Sequence, residues 1–432
     1  MKTTTVTSVT DTFLKGSEAL IASSPAFLRS LQQIGLDTFV ANGFPTTKNE
    51  EWKYTNLAPV LKQSFDLYPS DKVLTSTTVD QLSFLKGNSI LLVFENGKLN
   101  KSLSRISELP KGLIVGDLAD HLDHPAVQLH LGHYADGKIE SLVALNTAFI
   151  RHGTFLHVEQ NVVVEDPIYI MSVTTATQAL TYPRNLFIAE SGSNIKIVES
   201  VHGTTASFTN AVTEIVILEN AFLELTKIQA EEGEASRVDH TEASLHKNSL
   251  FHIHTISGGS RLVRNDLHIV LNAENANAYL NGLYVINGND HVDNHTLVDH
   301  AMPHCYTDEL YKGIMGGRSH GVFNGKIMVR KDAQKTNAYQ SNKNIILSDE
   351  AMMNTKPQLE IYADDVKCSH GATTGRLDDE SLFYLRSRGI GLEAARALLT
   401  IAFAEDVLSR ISIESLKEEL QSLIHRSLNE RN

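Results

Sequence analysis

A mainly β core held between helical ends is the fold class that this sequence predicts, and three features point to it. Apolar residues fall at helical spacing near the start, strand-like runs follow one another through the middle, and an Ala/Leu-rich helical pattern closes the chain. The 432 residues are enough for two or three domains and a large core. Boundaries are expected near 135 and 370, giving a helical or mixed region 1–135, a β core 136–370 and a helical region 371–432.

Taken in order, Ser24-Pro25 precedes Phe27, Leu28, Leu31, Ile34 and Leu36, close to helical spacing, and Asn42-Gly43-Phe44-Pro45 stops that helix. A polar–aromatic segment follows at 49–57 (NEEWKYTNL), with the chain's single Trp. The run 90–94 reads as a short strand, and Glu95-Asn96-Gly97 as the turn of a hairpin. From about Leu142 the texture is strand after strand: 154–164, 167–173, 194–201, 212–218, 222–228 and 250–256. Polar turns at Glu190-Ser191-Gly192, Glu219-Asn220, Lys247-Asn248 and Asn272-Ala273-Glu274 recur about every 28 residues. Coils that stack, each covering its neighbour's apolar face, would produce such a period. A β-sandwich with long hairpins would give a similar trace. Beyond Gly371, Asp378-Asp379-Glu380 opens a helix through Leu382, Phe383 and Leu385, which Gly389 ends. Leu392 to Leu408 is helical, and Ser412 caps a last helix with Leu416, Leu420, Leu423 and Ile424 on one face.

Composition excludes several functions. A formal charge of −13 repels a phosphate backbone or an anionic membrane, and no dense Lys/Arg run offsets it. The polar, Thr-rich start lacks a secretory apolar stretch, and no run approaches a membrane span. Cys305 and Cys368 are the only cysteines, which fits a reducing cytoplasm. The 19 histidines hint at borderline metals.

Two catalytic-looking strings are set aside. Gly317-Arg318-Ser319-His320-Gly321 matches a nucleophile elbow, but the residues after it read as turn and strand rather than helix. Gly321 to Lys326 is one residue short of a phosphate loop, and Ile327 stands where a Ser or Thr is needed, so no nucleotide site follows. His252 and His254 alternate on one strand face opposite Phe251 and Ile253, so they are expected to point away from the core. His291, His295, His300, His304 and Cys305 form a loose cluster that could ligate a metal, although a solvated sheet face is preferred.

The strongest local feature is Lys367-Cys368-Ser369-His370-Gly371-Ala372-Thr373. If it continues the strand through Leu359 and Ile361, Cys368 and His370 project to one side, and Gly371 leaves room for a close approach. Thiolate and imidazole are good iron ligands, though a buried Cys beside a hydrogen-bonded His is also a common inert pairing. Iron–sulfur clusters need about four protein ligands, mostly thiolates. A chain with two thiols cannot easily complete such a site, so any cluster is expected to be shared with another chain.

Several strings, in this order, carry a family resemblance. They are NEEWKYTNL at 49–57, GVFNGKI from Gly321, NAYQSN from Asn337, LSD from Leu347, TKPQLEI from Thr355, ADDVKCSHGAT from Ala363 and FYLRSRG from Phe383. The chain resembles the SufB/SufD family of iron–sulfur cluster assembly scaffolds. The CSHGAT form around His370 is similar to the SufD branch, where SufB-like chains carry a glutamate-containing variant. The stretch Asn344 to Leu347 also lacks the cysteine of SufB-like chains.

The resemblance implies a right-handed parallel β-helix flanked by helical regions, in a non-catalytic scaffold subunit. It implies a heterodimer with a SufB-like paralogue through the β-helix edge, and docking of a SufC ATPase, which carries the ATPase activity, on the C-terminal region around Leu382, Phe383, Tyr384, Arg386 and Arg388. A transient iron–sulfur cluster would form at the shared interface, with His370 contributing and Cys368 as a subordinate candidate. A flavin in the complex is also allowed. An exposed solenoid edge would permit the isolated chain to pair with itself. A purely structural subunit that stabilises the paralogue, and a β-solenoid enzyme acting on polysaccharide, are the competing readings.

Overall fold

A computed structural model of the chain describes residues 9–69, 73–87, 90–106, 109–138 and 140–429. The first eight residues of the Thr-rich start lie outside them. Among the described residues from Thr154 onward, sixteen strands of five residues or more alternate between two sheets. The first eight are β1 Thr154–Val158, β2 Ile168–Thr174, β3 Arg184–Ala189, β4 Asn194–Gly203, β5 Ser207–Ile217, β6 Phe222–Glu231, β7 Ala235–Leu245 and β8 Leu250–Ser257. The last eight are β9 Leu262–Leu271, β10 Asn277–Ile286, β11 His291–His300, β12 Tyr306–Met315, β13 His320–Val329, β14 Asn337–Ile346, β15 Met352–Ile361 and β16 Lys367–Gly375. Odd strands build one sheet and even strands the other, each pairing in parallel with the strand two ahead. The chain is a parallel β-solenoid, and the sandwich alternative falls away.

The repeat has a local cause. Asn161, Asn220, Asn248, Asn275, His304 and Lys335 all have φ between 56° and 62°, and Gly192 has φ 72°, so each coil turns the same corner with one left-handed residue. Asn and Gly tolerate this conformation best, which is why polar turns recur in the sequence. The corners also pair with one another: the Asn220 amide donates to the Lys247 carbonyl, and the Asn248 amide to that of Glu274. Ser207 lies in register with Ala235, so the step from coil to coil is the 28-residue spacing seen in the turns.

Strand alternation sorts the side chains three ways. Residues such as Ile215, Leu225, Ile253, Ile269, Leu280 and Phe323 point into the lumen and form its apolar core. On the outer face of the even sheet, Val198, Ile228, Ile256, Leu283 and Ile314 pack under Ala404, Val407, Leu408, Leu416 and Leu420 of the C-terminal helices Leu392–Leu408 and Glu414–Asn429. On the outer face of the odd sheet, Phe208, Val238 and Leu262 pack under Phe13, Phe39, Trp52 and Leu57 of the N-terminal region.

The helix expected near Pro25 spans Ala26–Asn42 and ends at Gly43 (φ 66°). The expected hairpin is present too: Ile90–Glu95 turns through Asn96 and Gly97 into Lys98–Leu99. Ile90–Glu95 pairs with β2, and Leu113–Asp117 with β1, so the N-terminal region closes one end of the stack. The other end is open. Of β15 and β16, the last strand of each sheet, not one residue is buried.

Candidate functional site

The open end carries the Cys-Ser-His motif. Cys368 and His370 sit two residues apart on β16 and face the same way, toward the lumen, because they lie in register with Ala338 and Gln340 of β14, both buried. Cys368 is half-buried against the rim of the core, and burial pushes its thiol up from the ordinary range. His370 is exposed. An added Cβ at Gly371 would meet nothing within 4 Å, so the approach from outside is open.

Cys368 does not continue the strand through Leu359 and Ile361: that strand, β15, ends at Ile361 in the odd sheet, and β16 belongs to the even one. Between them the chain turns a corner at Ala363-Asp364-Asp365, where the Lys335 amide donates to the Asp365 carbonyl. The shared direction of Cys368 and His370 survives because it depends only on their own alternation.

Behind His370 lies a polar column that sequence reasoning missed. Gln340 Nε2 donates to Glu309 Oε2 at 2.8 Å, and Thr296 Oγ1 donates to Glu309 Oε1 at 2.6 Å. Burial pushes the Glu309 carboxyl up to about 7, against those two hydrogen bonds. A cavity of about 550 Å³ is lined by Glu309, Gln340, Lys343, Ser369, His370 and Arg410 among others. The signal available in the sequence was a lone acid at an inward position between Thr307 and Tyr311, legible only once the strand's inner face is known.

The cluster from His291 to Cys305 does not converge. His291 and His295 are on the outer face of β11, His300 points into the lumen, His304 is an exposed corner residue and Cys305 is buried in the core. Burial pushes the Cys305 thiol up to about 11, and its Sγ donates to the Ala273 carbonyl at 3.3 Å. Nor is this face solvated, because segment 49–57 lies across it. Arg264 holds the two together: its guanidinium donates to the Glu51 carbonyl (2.9 Å), Asp293 Oδ2 (2.6 Å) and Asp266 (2.7 and 3.0 Å), and lies 4.0 Å from the Trp52 ring centroid. Thr55 Oγ1 donates to Asp293, and Glu51 pairs with His295. Burial disfavours the His295 imidazolium, yet Asp293 prevails and pushes it up to about 9.

His252 and His254 do point away from the lumen, but His254 is fully covered by the C-terminal region. It lies 3.6 Å from Glu224, whose carboxylate accepts from the Ser412 amide and hydroxyl, and burial pushes its imidazole down to about 3.

The helix expected after Asp378 spans Asp379–Ser387, capped by Asp378, and none of its residues is buried. Phe383 is 75% and Tyr384 54% exposed, Arg386 and Arg388 are exposed, and Leu382 is half-buried. The Arg388 guanidinium lies 4.5 Å from the Tyr384 ring centroid.

With one thiol in the core and one at the rim, the two cysteines do not converge on a single site. The open end therefore offers one imidazole and one thiol, a fragment of an iron–sulfur ligand set.

Comparisons with known proteins agree with this layout. The description "SUF system FeS cluster assembly, SufBD core domain" matches residues 172–403, and "SufBD protein N-terminal region" matches 3–170. The chain is 31% identical to the iron–sulfur cluster assembly protein SufD of Escherichia coli over 418 residues, 94% of this chain and 93% of that protein. It is 30% identical to an iron–sulfur cluster assembly SufBD family protein of Synechocystis over 426 residues, 95% of this chain and 93% of that one. SufD of Bacillus subtilis is 27% identical, with 94% of each chain covered. These matches span both the N-terminal region and the solenoid, and the chain belongs to the SufB/SufD family of SUF-system iron–sulfur cluster assembly proteins.

Proposed function

We propose that this chain acts as a SufD-like scaffold subunit, joined to a SufB-like paralogue and a SufC-type ATPase, and that a nascent cluster forms where the two solenoids meet. The observation that carries the reading is the open end of the solenoid. Among the described residues no strand pairs with the outer edges of β15 and β16, and Met352, Ile361 and Tyr362 leave large apolar surface exposed beside them. Such an edge invites pairing with another strand. A homologous strand placed there would bring its own ligands to Cys368 and His370, supplying what two dispersed thiols lack. The cluster is cargo of the assembly, with His370 as this chain's main contributor and Cys368 as the second.

The exposed aromatic face of Asp379–Ser387 supports ATPase docking there. Phe383 and Tyr384 supply the anchor, and Arg386 and Arg388 a cationic rim beside Leu382. On this reading the chain itself is non-catalytic. Two free cysteines and an acidic balance favour a reducing, cytoplasmic setting.

Co-purification with SufB-like and SufC-like subunits, followed by native mass measurement, tests the proposal. A complex of this chain with one SufB-like subunit and SufC-type subunits is expected. A chain that stays alone, or pairs only with itself, in their presence would overturn it.

A further inference from the structure

A second cluster of donors lies on the odd sheet, away from the open end. His240 and Glu242 alternate on the outer face of β7, and His268 of β9 is the register partner of Glu242. Glu242 Oε2 lies 3.2 Å from His240 Nε2 and 3.3 Å from His268 Nδ1. One donor atom from each of the three residues lies within 4.8 Å of the other two. An ion held at about 2.0–2.2 Å from N and O donors needs donors roughly 3.0–3.6 Å apart, so two of the three separations already suit it. The third separation, within 4.8 Å, must shorten for all three donors to hold one ion.

The surroundings favour an ion over a self-satisfied trio. Among the described residues no Lys or Arg pairs with Glu242, so a largely covered carboxylate has only two imidazoles to balance it. Asp266, the register partner of His240, is committed to Arg264 through two hydrogen bonds. Among the described residues the protein donors therefore stop at three. The remaining positions face a cavity of about 580 Å³ lined by Glu51, Glu140 and Asp299 and also by Arg264, Lys326 and Lys356. Two imidazoles and a carboxylate form a donor set that leaves coordination positions open for water or another ligand, in contrast to closed four-ligand structural sites.

We propose that His240, Glu242 and His268 bind one divalent first-row transition metal ion, with its open coordination positions facing this cavity. The site is on the other sheet from His370 and does not rest on the cluster-assembly reading.

The test uses the tag-free full-length chain, stripped with chelator and titrated with Zn²⁺ and Co²⁺. One tightly bound ion per chain is expected, with a Co²⁺ visible spectrum of nitrogen and oxygen ligation. Glu242→Gln, which keeps shape and hydrogen bonding, is expected to weaken binding about 100-fold or more, since even losing an outer partner costs about 10–100-fold. A Cys368→Ser/His370→Ala double variant is expected to bind as the parent does. Anomalous scattering from Zn²⁺-soaked crystals of the unaltered chain should peak among the three side chains. No bound ion, equal affinity in Glu242→Gln, loss of the ion in the double variant, or a peak elsewhere would overturn the assignment.

Discussion

His370 is the register partner of Gln340, and the Gln340 amide donates in turn to Glu309, so the exposed imidazole at the solenoid's open end stands over a buried acid. Burial pushes the Glu309 carboxyl up to about 7, above its ordinary 4.5. A raised carboxyl holds its proton longer folded than unfolded. The associated stability is complete below about pH 4.5 and is lost as pH rises through about 7. Glu309→Gln should therefore flatten the pH dependence. Urea unfolding of the isolated chain at pH 5 and pH 8.5 should show the parent losing about 3 kcal/mol more than the variant. Parallel losses in both would show that Glu309 is not the titrating group.

Two glycines make room for tyrosines of neighbouring coils. A Cβ at Gly282 would lie 2.1 Å from the Tyr311 ring, and one at Gly313 would lie 2.3 Å from that of Tyr284. Gly282→Ala should cost about 1–3 kcal/mol through forced shifts of a packed ring. Gly371→Ala, with open space around it, should change stability by no more than about 0.5 kcal/mol. Thermal unfolding of the two variants separates them, and equal midpoints would contradict the packing account.

Arg264 joins the 49–57 segment to the solenoid. Arg264→Met leaves Asp266 covered without its cation and Asp293 with His295 alone, a loss of about 3–5 kcal/mol. Limited proteolysis should then cut near Trp52 first. The same joint should loosen in alkali. His295, raised to about 9, contributes stability that is complete below about pH 6.5 and lost as pH rises through about 9. Protection of the amides in this segment, taken relative to their intrinsic exchange rate at each pH, that is unchanged by the substitution or by raising the pH through 9 would contradict this role.

How far the sequence could be read follows from what each signal depends on. The 28-residue turn spacing, the helix before Gly43 and the strand alternation of Cys368 and His370 are local, set by backbone preferences within a few residues. What escaped detection depends on stacking. Glu309, Gln340 and His370 lie about 30 residues apart from one to the next and meet only because coils superpose. His240, Glu242 and His268 meet across two strands in the same way. His291 and His295 of β11 read as solvent-facing because nothing in their own strand reveals that residues 49–57 cover them. His254 is hidden by a C-terminal region more than 150 positions away in sequence. The corner at Ala363-Asp364-Asp365 was missed because apolar residues continue on both sides of it.

Iron and acid-labile sulfide per complex is the measurement that bears most directly on completion of this chain's chemistry at a partner contact. It compares the unaltered chain with His370→Ala, each assembled with SufB-like and SufC-like subunits and checked for equal subunit content. The account expects the intact-sized variant complex to hold several-fold less iron and sulfide. Undiminished cluster content in that complex, or a full cluster retained by this chain purified alone, would contradict it.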